Sequence, residues 1–504
     1  MPIDTPDWVR DAVFYQIFPD RFASSAALAK PGPLEPWDAP PTAHGFKGGD
    51  LVGIAERLDD LVELGVTALY LTPIVMSAAN HRYHAYDYLR VDPLLGGDPA
   101  LRTLLDGAHQ RLMRVILDGV FNHCGRGFWP FHHVVENGAA SPYRNWFHLD
   151  AAVLAAQRQI DPYPDRRGRG RTDEARGYRA WWNLPALPKL NTDEPAVREY
   201  LLGVAEHWLR FGADGWRMDV PQEIDDPSFW RAFRERCRAV NPESYLVGEI
   251  WDEAPDWLRG DRFDALMNYP LATTILGFVG GTSLDVGLIE RHDTYRRMID
   301  ILDGVAFAQR LERLMTNYDP VVVAVQLNLL GSHDTPRALS VLGGDQLAFR
   351  HAMLLQATLP GAPCIYYGDE IGMEGGLDPD NRRAYPTGPA PGDRALRTFV
   401  RSLLEARRSH VALRRGTVRV AGVGDHAVAI IREAEGHLAI VAVNPGPQPA
   451  RLQFQVPDGR PLRAAAIPDL PPGTAGDADA EAAGAANTMV VVLPPSGALV
   501  LVDD

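Results

Sequence analysis

The chain has 504 residues, of which 46% are hydrophobic and 23% are charged, a composition typical of a globular protein with a large apolar core. At roughly 150 residues per domain, this length predicts about three domains, although one α/β barrel can use roughly 250 residues. The formal net charge of −15 argues against a nucleic-acid or anionic-membrane partner, because phosphate groups bind to positive surfaces.

The sequence also indicates where the protein acts. Its three cysteines, Cys124, Cys237 and Cys364, are an odd number, and their spacing forms neither a disulfide framework nor a zinc motif. The N-terminal segment has acidic residues early and no basic-then-apolar pattern, so no secretory signal is predicted. No uncharged apolar run is long enough to span a membrane. We therefore expect a cytoplasmic protein without a membrane partner.

Eight apolar runs between residues 12 and 372 predict the strands of a parallel sheet. They are continuously hydrophobic rather than alternating, as expected when both faces of a sheet are buried. The runs cover residues 12–18, 68–74, 114–123, 214–220, 245–251, 263–270, 325–334 and 363–372. Amphipathic segments between them, such as 54–65, 100–112 and 195–212, predict helices. Strands joined by helices in this way predict a (β/α)8 TIM barrel, and no glycine-rich nucleotide motif favours an open doubly wound sheet.

Two segments depart from this repeat. The interval between His123 and about Asn191 is too long for a barrel loop and predicts a small inserted domain after the third strand. After residue 416, short β-like runs predict a C-terminal antiparallel β-sandwich with a mobile loop at 473–488. The expected boundaries are 1–123 and 191–415 for the barrel, 124–190 for the inserted domain and 416–504 for the sandwich.

Polar side chains follow several of the predicted strands. The C-terminal ends of barrel strands meet at one face, where the active sites of this fold lie. A single buried acid is more often a structural ion-pair partner, but such residues at several strand ends together indicate a functional site. These strand-end residues are Asp118, Asn122, His123, Arg217, Asp219, Glu249, His333 and Asp334.

Two of the carboxylates are predicted to have different roles. Arg217 lies two residues before Asp219 on the same side of a strand, so we expect its charge to keep Asp219 ionised as a nucleophile. Glu249 lies between an apolar run and Trp251, surroundings that raise a carboxyl pKa towards that of a general acid. Such a pair is typical of glycoside hydrolysis. Asp334 is expected to bind substrate hydroxyl groups, and aromatic residues are expected to pack on sugar rings.

A metal hydrolase is the competing interpretation, because the sequence contains His81, His84, His123 and His333. A metal-binding barrel presents its histidines together on one or two strands with carboxylate partners. Two of these histidines instead belong to the predicted loop HRYHAYDY. We therefore predict no catalytic metal and no cofactor.

The motifs DGVFNH, GWRMDV, GEIW and LLGSHD resemble, in order and spacing, the four signature regions of the α-amylase family (glycoside hydrolase family 13). The resemblance extends from about residue 10 to the C-terminus. It implies a retaining mechanism on α-glucosidic bonds, with Asp219 as nucleophile, Glu249 as acid/base and Asp334 as transition-state stabiliser. It also implies that Tyr83, in an H-x-Y motif, stacks on the glucose at the non-reducing side of the cleaved bond. The same subsite would be lined by Arg217, His123 and His333, with Asp118 and Asn122 bracing it.

The segments FKGGDL (46–51), LPKLN (187–191) and GGLDPDNRR (375–383) resemble the cyclomaltodextrinases, neopullulanases and maltogenic amylases of this family. This resemblance implies a neutral α-glucan substrate: cyclodextrins and maltooligosaccharides, with pullulan and starch as further candidates and some transglycosylation. Trp251, Asp378 and Arg382 would then contact sugars, although a surface salt bridge is an equal alternative for the last two. An exo-acting α-glucosidase or glucosyltransferase on the same scaffold stays open, as does a non-catalytic carbohydrate-binding relative.

Some features depart from the family pattern. His84 follows the stacking tyrosine where the family usually has aspartate, which leaves the support of that loop open. Val220 to Glu223 read Val-Pro-Gln-Glu instead of Val-Ala-Asn-Glu, which leaves the acceptor preference open. The Asn/Asp-rich calcium loop is absent and Asp50 alone makes no calcium site, so no essential metal is predicted. The first strand begins near residue 12, which leaves no length for the N-terminal β domain of many relatives. The oligomeric state stays open between monomer and homo-oligomer.

Overall fold

The computed structural model describes residues 3–155, 160–163, 177–387, 393–457, 461–477 and 488–503. In chain order, the strands are β1 (Phe14–Ile17), β2 (Ala68–Leu71), β3 (Val75–Ser77), β4 (Ala85–Val91), β5 (Arg114–Gly119), β6 (Gly215–Met218), β7 (Tyr245–Gly248), β8 (Ala265–Leu266), β9 (Leu327–Leu329), β10 (Ala362–Tyr366), β11 (Thr417–Val423), β12 (Val428–Ala434), β13 (His437–Asn444), β14 (Ala450–Gln455), β15 (Arg463–Ala464), β16 (Thr474–Asp477), β17 (Thr488–Leu493) and β18 (Gly497–Val502).

The helices are α1 (Pro19–Phe22), α2 (Leu51–Glu56), α3 (Leu58–Leu64), α4 (Gly97–Gln110), α5 (Trp129–Asn137), α6 (Ala151–Ala155), α7 (Pro195–Phe211), α8 (Pro227–Val240), α9 (Tyr269–Gly280), α10 (Val286–Glu290), α11 (Tyr295–Met298), α12 (Gly304–Thr316), α13 (Pro320–Val323), α14 (Ala338–Val341), α15 (Gln346–Thr358), α16 (Arg394–Ser409) and α17 (Val411–Arg415). None of these helices, within the described ranges, is long and apolar enough to cross a membrane.

A closed parallel barrel forms the larger part of the structure. Its strands pair in the order β8-β7-β6-β5-β2-β1-β10-β9, and a bridge between Met267 and Leu327 joins the two ends of this order. Apolar side chains such as Phe14, Tyr70 and Val247 fill the inside of the barrel, while the helices cover the outside. Burial on both faces explains why the strands are continuously hydrophobic in sequence. The predicted (β/α)8 fold class is confirmed.

One predicted helix is interrupted. The segment 54–65 forms two helices, α2 and α3, rather than one, and the break lies at Arg57. This residue has φ −103° and ψ 4°, and its N–H donates to the carbonyl of Ile54 at 3.0 Å. This hydrogen bond between residues three apart tightens the backbone and ends α2. The apolar periodicity of the sequence continues across the break and therefore does not predict it.

A hairpin that the sequence analysis did not predict follows β2. Strands β3 and β4 pair antiparallel, with irregular register at Met76. Their connecting loop, residues 78–84, contains Tyr83 and the two histidines His81 and His84. Because β3 has only three residues and β4 has mixed polarity, neither strand has a clear pattern in the sequence.

In the described residues between β5 and α7, the chain forms α5, α6 and isolated β-bridges. Bridges join His123 to Lys189 and Ala180 to Pro188, so the base of this segment extends the end of β5. Phe131 packs edge to face on Phe147 and Tyr178 and forms a small apolar centre. This segment therefore lies directly above the carboxyl end of the third barrel strand.

The C-terminal residues form two antiparallel sheets that pack through an apolar core. Their strand orders are β11-β12-β13-β18-β15 and β14-β17-β16. Side chains from both sheets, including Ile431, Ile440 and Val491, form this core. The antiparallel C-terminal sandwich is confirmed. The predicted loop at 473–488 is wrong at its start, because Thr474–Asp477 pair with the free edge of β17 as β16; residues 478–487 lie outside the described residues.

Candidate active site

Three carboxylates surround one buried guanidinium at the carboxyl ends of β5, β6 and β7. Arg217 Nη1 lies 2.9 Å from Asp118 Oδ1 and 3.1 Å from Asp219 Oδ1. Its Nη2 lies 2.9 Å from Glu249 Oε1. Asp118 and Arg217 belong to β5 and β6, whereas Asp219 and Glu249 immediately follow β6 and β7. The structure therefore brings these four predicted site residues together.

Asp118 is held from several sides. Tyr70 and Tyr83 each donate a hydroxyl hydrogen bond to its Oδ2, at 2.7 and 2.8 Å, and Arg217 Nη1 donates to both of its oxygens. All of these polar atoms belong to buried or half-buried residues. Asp118 is thus occupied by protein partners, as expected for a brace. Tyr70 was missed because it lies within the apolar run of β2, where a tyrosine is typical of a core.

Burial raises the pKa of Glu249 to about 7, although the nearby Arg217 opposes this effect. Burial also raises the pKa of Asp219 well above its ordinary value. Arg217 opposes this shift, but repulsion from Glu249, Asp118 and Asp334 adds to it. Arg217 itself lowers the pKa of Asp219, in the predicted direction, but burial and the neighbouring carboxylates outweigh this effect. One guanidinium is shared among several carboxylates, so the cluster retains a proton near neutral pH.

Asp334 lies beyond β9 at the more open side of the cluster. Its side chain is 32% exposed, whereas those of Asp219 and Glu249 are 8% and 4% exposed. Its Oδ2 lies 3.1 Å from His333 Nε2, and its Oδ1 accepts a hydrogen bond from Arg382 Nη2 at 3.2 Å. This carboxylate is thus the most exposed of the three predicted catalytic acids.

Arg382 connects Asp334 to the loop that follows β10. Its Nε donates to the His333 carbonyl at 2.8 Å, and its Nη1 pairs with Asp378 at 3.1 Å. The side chain of Arg382 is 11% exposed and that of Asp378 is 54% exposed. Asn381, which the sequence analysis missed, donates to the carbonyls of His333 and Thr335 at 2.7 and 2.9 Å. The predicted salt bridge is present, and it leaves Asp378 at the rim.

His333 is a neutral histidine stacked on Tyr83. The ring centroids lie 5.3 Å apart with an interplanar angle of 7°. Gln16 Nε2 contacts His333 Nδ1 at 2.7 Å, so Nδ1 accepts and Nε2 carries the proton. Burial, with Arg217 and Arg382 nearby, lowers the pKa of His333 well below its ordinary value. Gln16 lies inside β1 and was missed, because its partner is 317 residues away.

His123 is also buried and neutral. Asn122 Nδ2 donates to its Nδ1 at 3.2 Å, and burial lowers the pKa of His123 to about 3. Its Nε2 therefore carries a proton, and it has no hydrogen-bond partner among the described residues. The Asn122 carbonyl accepts a hydrogen bond from the Leu190 backbone N–H at 3.0 Å. Asn122 thus orients His123 and anchors the segment between β5 and α7.

Comparisons with known proteins agree with this geometry. Residues 16–400 match the family described as "Alpha amylase, catalytic domain". The chain belongs to the α-amylase family. It is 44% identical over 422 residues to a cyclomaltodextrinase of Geobacillus thermopakistaniensis, a match that covers 83% of this chain and 66% of that relative. The chain thus spans about two thirds of the length of this relative.

Two solved structures are similar over their whole length. The Thermus thermophilus protein Ttha1563 has 46% identity and a TM-score of 0.86, with 99% of this chain and 100% of that chain covered. The debranching enzyme of Nostoc punctiforme has 40% identity and a TM-score of 0.86, with the same coverage of both chains. Both of these relatives therefore have the same fold over a chain of about the same length.

Trp251 lies beside the α-amylase-family cluster. Its ring stacks on Tyr269 with centroids 3.8 Å apart, so one of its faces is covered. The ring of His292 lies 5.9 Å from Trp251, and His292 Nε2 donates to the Asp334 carbonyl at 3.1 Å. Trp251 is thus connected to the site through aromatic neighbours, and its half-buried ring presents its remaining surface at the barrel mouth.

The segment that departs from the α-amylase-family pattern has a strained backbone. Val220 has φ 36° and ψ 54°, a left-handed conformation that a β-branched residue rarely adopts. Its N–H donates to Glu249 Oε2 at 3.2 Å, and Pro221 begins a short 3-10 helix ending at Glu223. Lys189 Nζ donates to the Glu223 carbonyl at 2.9 Å. The backbone of Val220, which directly follows Asp219, is thus hydrogen-bonded to the carboxyl group of Glu249.

Two of the histidines that suggested a metal site contact each other. His81 and His84 pack edge to face at 4.8 Å in the β3–β4 loop, and burial lowers the pKa of both, that of His84 to about 4. In the described part of the chain, no three His, Cys, Asp or Glu side chains are arranged to hold a metal ion. Both Asp50 oxygens are occupied, because Oδ2 accepts from Lys30 Nζ at 2.9 Å and Oδ1 accepts from the Gly53 N–H at 2.7 Å.

Proposed function

We propose that the protein is a retaining α-glucan hydrolase that cleaves α-1,4-glucosidic bonds of maltooligosaccharides and cyclodextrins, with some transglycosylation. The observation that carries this proposal is the contact of Asp219 and Glu249 with the same guanidinium group. Met218 pairs with Gly248, so the two acids follow at matching positions on neighbouring strands about 4.8 Å apart. This spacing supports the separation of about 5 Å between carboxyl groups that is typical of retaining glycosidases.

In the first proposed step, Asp219 attacks the anomeric carbon while the glycosidic C–O bond breaks. Glu249 gives its proton to the departing oxygen, a role that its pKa of about 7 supports. Arg217 holds both carboxyl groups at the reacting carbon. In the second step, ionised Glu249 takes a proton from water, or from a sugar hydroxyl in transglycosylation. That oxygen then attacks the anomeric carbon and displaces Asp219.

The remaining residues are proposed to bind the substrate. Asp334, between His333 and Arg382, would accept hydrogen bonds from sugar hydroxyls and stabilise the distorted ring of the transition state. The unpartnered Nε2–H of His123 is a donor for a hydroxyl group of the same sugar. Tyr83 would pack against that sugar, and its hydroxyl stays bonded to Asp118. Asp378 and Arg382 would contact sugars further from the cleaved bond.

The substrate class rests on the relatives as well as on the site. The cyclomaltodextrinase supports cyclodextrins as substrates, and a neutral glucan suits a protein of charge −15, because it needs no electrostatic attraction. The debranching enzyme favours α-1,6 bonds as a second candidate, with pullulan and starch as substrates. The free, buried cysteines support a reducing, cytoplasmic setting.

The Asp219→Asn variant tests the nucleophile. An amide cannot form the glycosyl ester, so we expect hydrolysis of maltotriose and β-cyclodextrin to fall on the order of 10⁴-fold or more, with an unchanged circular dichroism spectrum. Asp293→Asn is the matched control, because the Asp293 side chain is 92% exposed and pairs only within its own turn. Undiminished cyclodextrin cleavage by Asp219→Asn would refute the assignment.

The stereochemistry and the products test the rest of the proposal. Proton NMR of the earliest product should show the α-anomer, and an initial β-anomer would reject retention. A product profile on β-cyclodextrin, starch, pullulan, maltotriose and sucrose separates an α-glucan hydrolase from an exo-acting α-glucosidase or a glucosyltransferase. Cleavage at the α-1,6 bonds of pullulan would support the second candidate.

A further inference from the structure

Three aromatic rings lie face to face between the catalytic cluster and the protein surface. The ring centroids of His123 and Trp181 are 4.9 Å apart with an interplanar angle of 8°, and those of Trp181 and Trp182 are 4.6 Å apart at 12°. Exposure increases along this series: His123 is buried, Trp181 is half-buried and Trp182 is 76% exposed. We call these three residues the aromatic ladder.

The loop that presents Trp182 is anchored beside His123. The backbone N–H of Trp181 donates to the Leu187 carbonyl at 3.0 Å, and Ala180 forms a β-bridge with Pro188. The Pro188 carbonyl in turn accepts a hydrogen bond from the backbone N–H of Cys124 at 3.1 Å. Both ends of the loop are therefore bonded to each other and to the residue that follows His123. Such anchoring fixes the position of the exposed ring.

The backbone at the tip of this loop is strained. Trp182 has φ 48° and ψ 26°, and Asn183 has φ 61°, so two consecutive residues other than glycine adopt left-handed conformations. A conformation of this kind costs free energy and persists only where the surroundings hold it, most often at ligand-binding sites. In this conformation, the Trp182 side chain is exposed.

Trp182 has a large apolar surface available to a ligand. Among the described residues, its ring contacts another aromatic ring only at Trp181, and no cation lies over it. Leu184, in the same loop, is 45% exposed and enlarges the apolar tip. An exposed apolar patch beside a site commonly marks a binding surface. The C–H face of a glucose ring fits a flat, uncharged aromatic surface of this type.

We propose that the outer face of Trp182 binds a glucosyl unit remote from the cleaved bond and thereby selects long glucans over short ones. This inference rests on the proposed α-glucan hydrolase function. One stacked ring, that of Trp181, separates Trp182 from His123 at the catalytic cluster, so a sugar on the outer face of Trp182 does not touch Asp219 or Glu249. Its binding therefore contributes to KM for substrates long enough to reach the ladder, while kcat and short substrates are unaffected.

Substitution of Trp182 tests this prediction by comparing substrates of different length. For Trp182→Ala, we expect KM for maltoheptaose and soluble starch to rise about three- to tenfold, the loss expected for one aromatic contact, with kcat nearly unchanged. KM for maltotriose should stay within about twofold of the unmodified protein. Trp182→Phe keeps an aromatic face and should restore most of the affinity for maltoheptaose.

The control is Trp129→Ala. Trp129 is 61% exposed on α5, and its aromatic neighbours in the described residues are His132 and His133 of its own helix. We expect no change of KM with any substrate for this variant.

An equal loss of affinity for maltotriose and maltoheptaose with Trp182→Ala would overturn the proposal, because it would indicate that Trp182 merely supports His123. Loss of a dimer in Trp182→Ala, by analytical ultracentrifugation, would also overturn it and assign the tip to a second copy of the chain.

A binding measurement separates this proposal from the proposed hydrolase function. Titration of maltoheptaose into Asp219→Asn, with and without Trp182→Ala, measures affinity without turnover. Weaker binding of maltoheptaose by the double variant supports the sugar contact. If the unmodified protein hydrolyses no glucan but this difference in binding is present, only the hydrolase function fails. Equal binding of maltoheptaose by the two variants overturns the sugar contact, whatever the activity.

Discussion

Glu249 and Asp219 are chemically similar side chains at the ends of neighbouring strands. Both contact Arg217, and burial raises the pKa of both. Their second contacts differ, because Glu249 Oε2 accepts the Val220 N–H, whereas Asp219 Oδ2 has no partner among the described residues. The unpartnered oxygen of Asp219 is therefore free to approach an anomeric carbon, whereas one oxygen of Glu249 is already held by the backbone.

The raised pKa of Glu249 predicts how activity depends on pH. A carboxyl group with a pKa of about 7 stays protonated below pH 7, and the proton is lost as the pH rises through that value. We expect kcat/KM for maltotriose to fall about tenfold per pH unit above this pKa, because the leaving oxygen then receives no proton. The measurement is a pH profile of initial rates between pH 5 and pH 9.

α-Maltosyl fluoride is the control substrate, because fluoride departs without protonation. Its kcat/KM should lack the alkaline fall, and Glu249→Gln should keep most of this value while losing about 10²- to 10⁴-fold on maltotriose. The same alkaline fall with both substrates would contradict the assignment of Glu249 as the acid.

Individual site residues differed in how well the sequence predicted them. Asp219, Glu249 and Asp334 were predicted from their positions after strands, because strand ends of a barrel meet at one face. Tyr70 and Gln16 lie inside strands, and their polar atoms meet partners that are distant in sequence. Local patterns contain no information about such pairs.

At the level of the elements, the buried Arg432 joins the barrel to the C-terminal sheets, and the buried Arg407 bonds the same helix ends. Arg432 in β12 donates to the carbonyls of Thr417, Gly416 and Leu413 at 2.9, 2.8 and 3.1 Å, and also to that of Thr358. Thr358 ends α15, and Gly416 directly follows α17. Arg407 in α16 donates to the carbonyl of Ala357, and it shares the carbonyl of Leu413 with Arg432. Helix ends expose carbonyls without intrahelical partners, and cations stabilise them.

Substitution of Arg432 tests this junction. Arg432→Met keeps much of the side-chain length but leaves several buried carbonyls without donors, so we expect the free energy of unfolding to fall by about 2–4 kcal/mol. The measurement is urea unfolding followed by circular dichroism. Burial lowers the pKa of Arg432 well below its ordinary value, and no carboxylate pairs with it among the described residues, so the effect isolates the contacts to carbonyl groups.

Arg419→Met in the neighbouring β11 is the matched control. Arg419 is exposed, and its guanidinium makes a long hydrogen bond of 3.5 Å to the Gln455 carbonyl. We expect its free energy of unfolding to change by less than about 0.5 kcal/mol. An Arg432→Met variant as stable as this control would show that the buried guanidinium contributes nothing net.

For the whole molecule, the absence of a cation requirement is the main prediction. Lys30 Nζ donates to Asp50 Oδ2 at 2.9 Å and to the Leu94 carbonyl at 2.8 Å, so an ammonium group occupies this loop. A bound metal would stabilise the folded state in proportion to its affinity, and its removal would lower the melting temperature. We expect dialysis against EDTA to change the melting temperature by less than about 1 °C.

A sample dialysed against buffer without EDTA serves as the reference for calorimetry and for activity on maltotriose. A melting temperature that falls with EDTA and recovers with added CaCl₂ would reveal a structural calcium site. In that case, the Lys30 and Asp50 pairing would not be sufficient to support the loop.

The sequence by itself determined the architecture and was enough to predict the candidate catalytic acids. Continuous apolar runs that end in Asp118, Asp219, Glu249 and Asp334 specify buried parallel strands, and the ends of such strands converge for topological reasons. Only the tertiary structure decided the sharing of Arg217 among the carboxylates, the pKa directions and the aromatic ladder. These depend on distances between groups far apart in the chain, and on burial, which the order of residues does not contain.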